Sequence, residues 1–446
     1  MTDCATSHLF RGARLFDGTR FHEQTDLRVG ADGRILEVGR DLKPAGVIHE
    51  CRGKWLLPGL VDCHVHFREP GLERKEGYAF GSAGALHGGV TSLCEIQNNP
   101  PLMVSAELLA QKKSALVGVS RVDYAPYGTL THESVSALPE MVGHVPAVKC
   151  FLGGSTGAAG VKDEASLRLL FQAASKANLK VVAHCEDNSI MREVKAAAPP
   201  EMATRHDFMR PIRAEVESIR TALRVAAEFE TDLHVFHVST ARGAQLIAQA
   251  AAAGQKVAGS VGPQYLLVDA DEAHEMAQNR FKINPSIKDS AQREGLRQAV
   301  ASGALAMIGT DHAPHPLGDK DRPYAKAASG FPSIDLLLPL LFAIHDEAGL
   351  SLEVLLAAAT SAPAKEFGLA QKGQLQPGFD ADLVLVDPSP SAARTVDESQ
   401  LPSRSKWSPF HGRVLRAWPE QVWLRGQLAF SNGAVVGEPQ GRPLFD

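Results

Sequence analysis

The sequence predicts an α/β protein: a (β/α)8 TIM barrel with a small β-sandwich domain built from both chain ends. Short apolar runs alternate with helical patterns through the middle of the chain, which is the pattern of such a barrel. Strand-like segments separated by turn residues occupy both ends, and chain termini often lie close together. We therefore assign residues 59–370 to the barrel, and residues 1–58 and 371–446 to the two parts of the sandwich.

Length and composition fit this architecture. The chain has 446 residues, 44% of them hydrophobic and 22% charged, which allows a large core. A net charge of −5 without a basic block argues against a nucleic-acid partner. No apolar stretch reaches the about 18 residues that would cross a bilayer, so we expect no membrane partner. The polar start of the chain and six cysteines without a CxxC pair favour a reduced, cytoplasmic protein.

The two ends of the chain have the alternation and punctuation of short strands. Asp17-Gly18, Asp32-Gly33 and Asn432-Gly433 are turn signals between them. The strand-like segments are 9–15, 25–29 and 35–38 near the start, and 381–386, 414–417 and 421–424 near the end.

The middle of the chain contains eight apolar runs that predict barrel strands. Helical patterns lie between most of them, for example at 167–177, 214–228 and 244–253. A doubly wound sheet is the alternative, but no Gly-rich dinucleotide motif follows the first run. The runs are 60–64, 91–96, 121–125, 147–151, 181–184, 233–237, 256–261 and 305–310.

The carboxyl ends of these runs carry residues that can hold metal ions. Active sites of such barrels lie at this end of the strands. A lone histidine there is usually a satisfied polar group, whereas several in register indicate a metal centre. The candidates are His64 and His66 after strand one, Lys149 in strand four, His184 in strand five, His237 in strand six and Asp311 after strand eight.

Neighbouring residues compete for these roles. We prefer His237 to His234 because His237 is nearer the carboxyl end, and we expect His312 to point away from Asp311. Cys63, Cys150 and Cys185 each lie next to a candidate ligand in the sequence. Alternation along the strands points their side chains away from the site.

Lys149 is the unusual member of the set, because a cation beside metals is unfavourable. A buried lysine with a lowered pKa could take up carbon dioxide, and the resulting carbamate could bridge two metals. The alternative is a lysine paired with an acid. Arg68, close to the two first histidines, would suit a carboxylate on a substrate.

At this point the chain resembles the amidohydrolase superfamily, within it the cyclic amidases, and among those the dihydroorotase family. The matching segments run through nearly the whole barrel. The most specific are H-x-H-x-R-E-P-G, which begins at His64, and T-D-H-A-P-H, which ends at His315.

The resemblance implies a binuclear zinc site, although manganese or cobalt stay open. One ion would use His64, His66 and Asp311, the other His184 and His237, with carboxylated Lys149 and a hydroxide between them. It further implies that Arg68, Asn98, Asn284 and His315 bind the substrate, and that Asp311 transfers the proton. The implied reaction is the reversible hydrolysis of (S)-dihydroorotate to N-carbamoyl-L-aspartate in pyrimidine biosynthesis, by a homo-oligomer (dimer or tetramer).

Some segments depart from the family pattern. The segment 96–100 is one residue short, so that either Asn98 or Asn99 could fill the substrate role, and Lys288 stands where related chains often have arginine. Two alternatives remain open. One is a dihydropyrimidinase (hydantoinase) or allantoinase, whose substrates lack the ring carboxylate. The other is a non-catalytic dihydroorotase-like partner subunit, which should have lost ligands.

Overall fold

A computed structural model of the chain describes residues 6–155, 157 and 160–445. Most of its strands belong either to a parallel barrel or to one large mixed sheet. In chain order they are β1 (His8–Phe16), β2 (Phe21–Val29), β3 (Ile35–Gly39), β4 (Val47–Glu50), β5 (Trp55–Pro58), β6 (Leu60–Val65), β7 (Val90–Glu95), β8 (Asp123–Pro126), β9 (Gly128–Thr129), β10 (Val148–Phe151), β11 (Val181–His184), β12 (Leu233–Val235), β13 (Val257–Val261), β14 (Met307–Ile308), β15 (Leu383–Val386), β16 (Arg394–Thr395), β17 (Val414–Leu415), β18 (Pro419–Leu424), β19 (Gln427–Ser431) and β20 (Ala434–Val435).

Helices lie mainly between the barrel strands, and polar caps begin several of them. Asp163 accepts a hydrogen bond from the Ser166 amide, and Thr240 from the Gly243 amide, at the starts of the fourth and eighth helices. Among the described residues, no helix has both the length and the apolar character that crossing a membrane requires. The helices are α1 (Tyr78–His87), α2 (Ala106–Ala115), α3 (Leu138–Met141), α4 (Glu164–Lys176), α5 (Asn188–Ala197), α6 (His206–Met209), α7 (Ile212–Glu228), α8 (Ala241–Ala252), α9 (Pro263–Leu267), α10 (Ala270–Glu275), α11 (Ser290–Ala301), α12 (Leu317–Lys320), α13 (Leu337–Ala348), α14 (Leu352–Ala358) and α15 (Ser361–Glu366).

Strands β6 to β14 close the predicted barrel. They form two sheets, β6–β7–β8 and β9 to β14 in order, whose strands are all parallel. The pieces β8 and β9 follow each other along the chain and together occupy the third barrel position. The first barrel strand also meets the segment that follows the last one. There Val65 pairs with His312, and the His66 amide donates to the His312 carbonyl at 2.8 Å. The (β/α)8 barrel expected from the sequence is therefore confirmed.

Two barrel strands are shorter than the sequence predicted. The sixth, expected at 233–237, ends at Val235, and the eighth, expected at 305–310, is only β14. His237 and Asp311 therefore follow their strands, with φ angles of 41° and 52°. Apolar patterning locates a strand but cannot reveal such a change of backbone direction just beyond its end.

The two chain ends share one β-rich unit, as predicted. Its strand order is β20–β19–β18–β15–β5–β1–β2–β3, with β4 also paired to β1. Alternate residues of β15 face opposite sides: Val384 joins the main core with the barrel, whereas Leu383 and Leu385 join a smaller core that includes Phe10 and Trp423. The unit therefore packs on the barrel with one face and has its own core on the other.

A buried ionic cluster links this unit to the barrel. The Lys372 ammonium lies 2.6 Å from Asp123, 2.7 Å from Asp382 and 2.9 Å from Asp380. Asp123 begins β8 of the barrel, and Asp382 immediately precedes β15 of the mixed sheet. Arg425 also pairs with Asp123. We call Lys372 and these three aspartates the lysine clamp.

The described cysteines are Cys51, Cys63, Cys94, Cys150 and Cys185, which are buried free thiols. Cys4 lies outside the described residues. Cys150 and Cys185 belong to the main core. Cys63 instead belongs to a cluster inside the barrel with Phe236 and Tyr127. A register shift between Asp62 and Val65 breaks the simple alternation that we assumed for this strand.

Candidate active site

Six side chains meet in one cavity at the carboxyl end of the barrel, and each is at most 5% exposed. They come from or directly follow five different barrel strands, so only the closed barrel brings them together. The six are His64, His66, Lys149, His184, His237 and Asp311. Arg68, Asn98 and Asn284 line the same cavity.

The first group of candidate ligands is His64, His66 and Asp311. The Asp311 Oδ1 atom lies 3.3 Å from His64 Nε2 and 3.2 Å from His66 Nε2. The candidate ligand atoms of all three lie within 4.8 Å of one another. His66 Nδ1 lies 2.9 Å from the Ile96 carbonyl, which can only accept, so Nδ1 carries the proton and Nε2 keeps its lone pair for the cavity.

The second group is His184 and His237. His184 Nδ1 lies 3.2 Å from His237 Nε2, so the two rings converge on one point. On its other side, His184 Nε2 lies 3.1 Å from the buried carboxylate of Glu186, which Arg210 contacts with Nε at 2.9 and 3.0 Å. A carboxylate behind a ligating imidazole fixes the ring's orientation and raises its basicity.

Lys149 lies between these groups, without an acidic hydrogen-bond partner in the part of the chain that the structure describes. Its ammonium is 4.7 Å from the ring centroid of Phe151 and 4.6 Å from that of Phe236. Burial lowers the pKa of Lys149 to about 7. The lowered pKa favours the neutral amine, the state that carbon dioxide requires. The alternative of a lysine paired with an acid finds no support in this arrangement.

The surroundings of the cavity disfavour protonated imidazoles and so keep the histidines in the neutral form that binds metal ions. Burial, followed by nearby positive groups, holds the pKa of His64 and His237 well below the ordinary histidine value. His64 Nε2 and Lys149 Nζ are buried without a hydrogen bond to the described residues. Buried polar atoms normally have partners. Neutral imidazoles and a carboxylate form a donor set for zinc and similar divalent ions, so these residues fit the implied metals.

Three residues of this site have left-handed backbone. Arg68, His237 and Asp311 have φ angles of 66°, 41° and 52°. Non-glycine residues rarely adopt this left-handed region, and it persists where the surrounding structure enforces it, often at functional sites. Arg68 is therefore not in an extended continuation of β6, as the alternation from His64 and His66 had suggested.

Asp62 holds Asp311 in place from behind. Its carboxylate accepts hydrogen bonds from the Thr310 hydroxyl at 2.5 Å, the Thr310 amide at 3.1 Å and the His64 amide at 3.1 Å. His312 points away, as expected: its Nδ1 accepts from the Ser333 amide at 3.1 Å. The backbone on both sides of Asp311 is thus anchored in the barrel.

Arg68 is a buried guanidinium with unused donors. One arm donates to the Asn98 side-chain oxygen. Its Nε and Nη2 atoms are buried without a partner among the described residues. Burial lowers the pKa of Arg68 to about 10, so it stays charged at neutral pH. Two unpaired N–H donors on a planar cation match a carboxylate.

The structure also separates the two candidate asparagines. Asn98 lines the cavity and contacts Arg68, whereas the Asn99 amide donates to the carbonyls of Pro70 and Pro100 at 2.8 and 3.2 Å. Of the two, only Asn98 is placed to reach a substrate. Asn99 instead holds the loop.

His315 lies outside the residues that line the cavity. Its Nδ1 is 3.1 Å from the Lys75 ammonium, and its Nε2 is 3.1 Å from the Ser329 carbonyl. Both ring nitrogens are therefore engaged in this arrangement. Burial followed by Arg68 lowers the pKa of Lys75 to about 8. Lys75 is a further cation near the site that sequence reasoning missed.

Other residues around the site were missed as well. Glu186 contacts His184, Arg210 contacts Glu186, and His206 contacts Asn284. None has a motif of its own, although Glu186 follows His184 by only two positions. That spacing on an extended chain is the only signal in the sequence that could have indicated it.

Comparisons with known proteins place the chain in a family. Residues 55–429 match the model of the amidohydrolase family. A dihydroorotase of Halobacterium salinarum is 32% identical over 443 residues, covering 97% of this chain and 99% of that protein. A dihydroorotase of Bacillus cereus is 30% identical over 96% of this chain and 100% of that protein.

Solved structures agree on the architecture. The L-hydantoinase (dihydropyrimidinase) of Arthrobacter aurescens has a TM-score of 0.91 at 28% identity, covering 98% of this chain and 99% of that one. The dihydropyrimidinase of Brevibacillus agri has a TM-score of 0.88 at 24% identity over 98% of both chains, which supports the fold alone. With the family match over most of its length, the chain belongs to the amidohydrolase family and is a metal-dependent cyclic amidohydrolase.

Proposed function

We propose that this enzyme is a dihydroorotase, which reversibly hydrolyses (S)-dihydroorotate to N-carbamoyl-L-aspartate. The observation that carries the proposal is the buried Arg68, which lines the cavity of the candidate ligands and whose Nε and Nη2 donors have no partner among the described residues. The relatives named dihydroorotase support it, because they match nearly the whole chain at 30 to 32% identity. The implied pathway is pyrimidine biosynthesis.

The argument from Arg68 is energetic. A buried charged donor without a partner is costly, and a substrate carboxylate would remove that cost through two charge-assisted hydrogen bonds. A ring without a carboxylate would displace water from Arg68 and leave it unpaired. The cavity therefore favours an anionic ring over an uncharged one.

The metal-binding roles follow the donor groups. We assign His64, His66 and Asp311 to one zinc ion, and His184 and His237 to the other. When bound, such ions acidify a water molecule and polarise the ring amide carbonyl. The orientation of His66 by the Ile96 carbonyl and of His184 by Glu186 prepares both imidazoles for this role.

Lys149 would join the two groups as a carbamate. Its neutral amine attacks carbon dioxide, a C–N bond forms, and one proton leaves to solvent. The product is an anion in place of a cation, which removes the repulsion between Lys149 and metal ions. The lowered pKa, about 7, makes the neutral amine available for this step.

The chain's own groups would then move the proton. Asp311, anchored by Asp62 through Thr310, accepts the proton of the attacking water and passes it to the ring nitrogen as the C–N bond breaks. Arg68 and Asn98 hold the ring carboxylate during this transfer. The burial of the whole site excludes bulk water and strengthens these interactions.

Hydrolysis of uncharged cyclic ureides is a second candidate. The likeness to the Arthrobacter L-hydantoinase at 28% identity favours it. Substrates of this kind would not use the free donors of Arg68, so dihydroorotase remains the better explanation. A non-catalytic partner role would not account for the presence of every candidate ligand in one cavity.

A substrate panel tests the proposal. Metal-replete wild type should hydrolyse dihydroorotate far faster than dihydrouracil, hydantoin or allantoin. Arg68→Met should lower kcat/KM for dihydroorotate by tens- to thousands-fold, the equivalent of about 2–5 kcal/mol, with unchanged metal content by elemental analysis. Arg40→Met, which changes an exposed arginine, is the matched control. Preference of the wild type for hydantoin or dihydrouracil would establish the second candidate instead.

A further inference from the structure

A histidine behind the cavity contacts one of the residues that line it. His206 begins α6, in the segment that follows β11, and no metal or substrate role has been assigned to it. Its Nε2 atom lies 2.8 Å from the Ile283 carbonyl and 3.1 Å from the Asn284 Oδ1 atom. Its Nδ1 atom lies 2.7 Å from the Tyr324 hydroxyl. Asn284 lines the cavity beside the candidate ligands.

These three contacts allow one arrangement of protons. A backbone carbonyl only accepts, so His206 Nε2 must carry a proton. In a neutral ring, Nδ1 is then an acceptor, which the Tyr324 hydroxyl satisfies as donor. The proton on Nε2 is shared between the Ile283 carbonyl and Asn284, so the Asn284 atom facing His206 must be its oxygen. The Asn284 NH2 group is consequently directed away from His206.

The surroundings keep this arrangement stable. Burial, together with the nearby cations of Arg210 and Lys282, lowers the pKa of His206 to about 3, so the ring stays neutral across the working range. The Lys282 ammonium donates to the carbonyls of Tyr324 and Ala327 at 2.6 Å each, which holds the loop that carries Tyr324. The neutral ring cannot exchange its donor and acceptor sides without losing a hydrogen bond.

We propose that His206 is a positioning residue, which fixes the Asn284 side-chain amide so that its NH2 group donates to an acceptor oxygen of the bound ring. This inference rests on the proposed function, because it names a contact for the cyclic amide substrate of the same site. It assigns to Asn284 the role of donor, and to His206 and Tyr324 the role of holding that donor. Without His206, the Asn284 amide is free to rotate and present its oxygen, which would repel a substrate oxygen.

A double-mutant cycle tests the inference. His206→Leu should raise KM for dihydroorotate by about tenfold, the value of one hydrogen bond and its misplaced partner, with a smaller change in kcat. The same substitution in an Asn284→Ala background should have little further effect, because His206 acts through Asn284. His206→Gln, whose amide can replace the Nε2 donor, should recover most of the loss. Binding of orotate, an unreactive analogue, to the metal-free protein should weaken in parallel by calorimetry.

The controls distinguish a failure of the proposed function from a failure of the role assigned to His206. His274→Leu changes an exposed histidine of α10 and should match the wild type. A wild type inactive on dihydroorotate would contradict the proposed function. An active wild type in which the effects of His206→Leu and Asn284→Ala simply multiply, or in which His206→Gln recovers nothing, would overturn the role of His206.

Discussion

Lys149 and Lys372 are 1% and 3% exposed, yet their surroundings are opposite. Lys149 lies among imidazoles and two aromatic rings, and burial lowers its pKa to about 7. Burial also lowers the pKa of Lys372, but Asp382, Asp123 and Asp380 more than offset it and raise the pKa above the ordinary lysine value. The charge of a buried amine is thus set by the partners that the fold brings to it.

The same contrast separates a candidate metal site from an ion cluster. Asp123, Asp380 and Asp382 have the spacing of metal ligands, as do His64, His66 and Asp311. In the lysine clamp, however, the Lys372 ammonium already lies within 2.9 Å of all three carboxylates. In the cavity, the Nε2 atom of His64 is buried without a hydrogen-bond partner among the described residues. The candidate metal site therefore differs from the lysine clamp in having a ligand atom without a hydrogen-bond partner, and not in the spacing of its ligands.

The largest expected difference between the two lysines is in catalysis. Lys149→Ala should lower kcat/KM by more than about 100-fold, beyond what loss of an outer partner of a metal site typically costs. Added acetate or propionate with metal should partly restore the rate, by replacing the carbamate. The free energy of unfolding of the metal-free protein should not fall through loss of an ion pair, since Lys149 has no acidic hydrogen-bond partner among the described residues. Activity within tenfold of wild type would remove Lys149 from the metal centre.

The second prediction concerns stability. Lys372→Met leaves three buried aspartates with Arg34, Arg425 and Arg442 as their ion-pair partners among the described residues, so the free energy of unfolding in urea should fall by about 3–5 kcal/mol. Metal content should be unchanged. Arg213→Met, which breaks the exposed pair with Glu193, is the control and should cost at most about 1 kcal/mol. A loss for Lys372→Met no larger than for this control would contradict the structural role of the lysine clamp.

The third prediction tests whether Glu186, which lies behind His184, contributes to metal affinity. Glu186→Gln removes the negative charge behind His184 and leaves Arg210 without its carboxylate. Metal affinity should fall by about 10- to 100-fold, measured by competition with a chelator. An unchanged affinity would show that Glu186 serves only to pair Arg210, as the aspartates of the lysine clamp serve Lys372.

The sequence predicted the barrel, and it predicted which candidate ligands would share one cavity, because both depend on local patterns. Apolar runs indicate strands, and a strand's carboxyl end indicates where a side chain such as His184 will lie. It did not predict that Arg68, His237 and Asp311 adopt left-handed backbone, because tertiary contacts impose that conformation. It also did not predict the lysine clamp, since Lys372 and Asp123 are 249 positions apart and neither belongs to a motif.

Sequence reasoning was least successful for the residues behind the site. Lys75 and His206 contact partners from distant segments, His315 and Asn284 respectively. For Asn98 and Asn99 the sequence left two choices, and only the packing of the loop on Pro70 separated them. Pairings of this kind depend on loop geometry, which carries no periodic signal.

The smallest predicted effect is in the pH dependence of the metal-free protein. Burial holds the pKa of His64 well below the ordinary value of about 6.5. Below that pH the unfolded chain binds a proton at His64 that the folded chain does not, so stability falls as pH falls. The slope from this group is at most about 1.4 kcal/mol per pH unit. The pKa of Asp123 in the lysine clamp is lowered, so its contribution to stability is lost only below the ordinary aspartate pKa of 3.8, in a separate pH window. Between pH 6.5 and 5, chelator-treated His64→Leu should therefore show a shallower loss of unfolding free energy in urea than chelator-treated wild type. Parallel curves for the two proteins would mean that His64 is protonated in the folded metal-free state, and that its lone pair is not held ready for a metal.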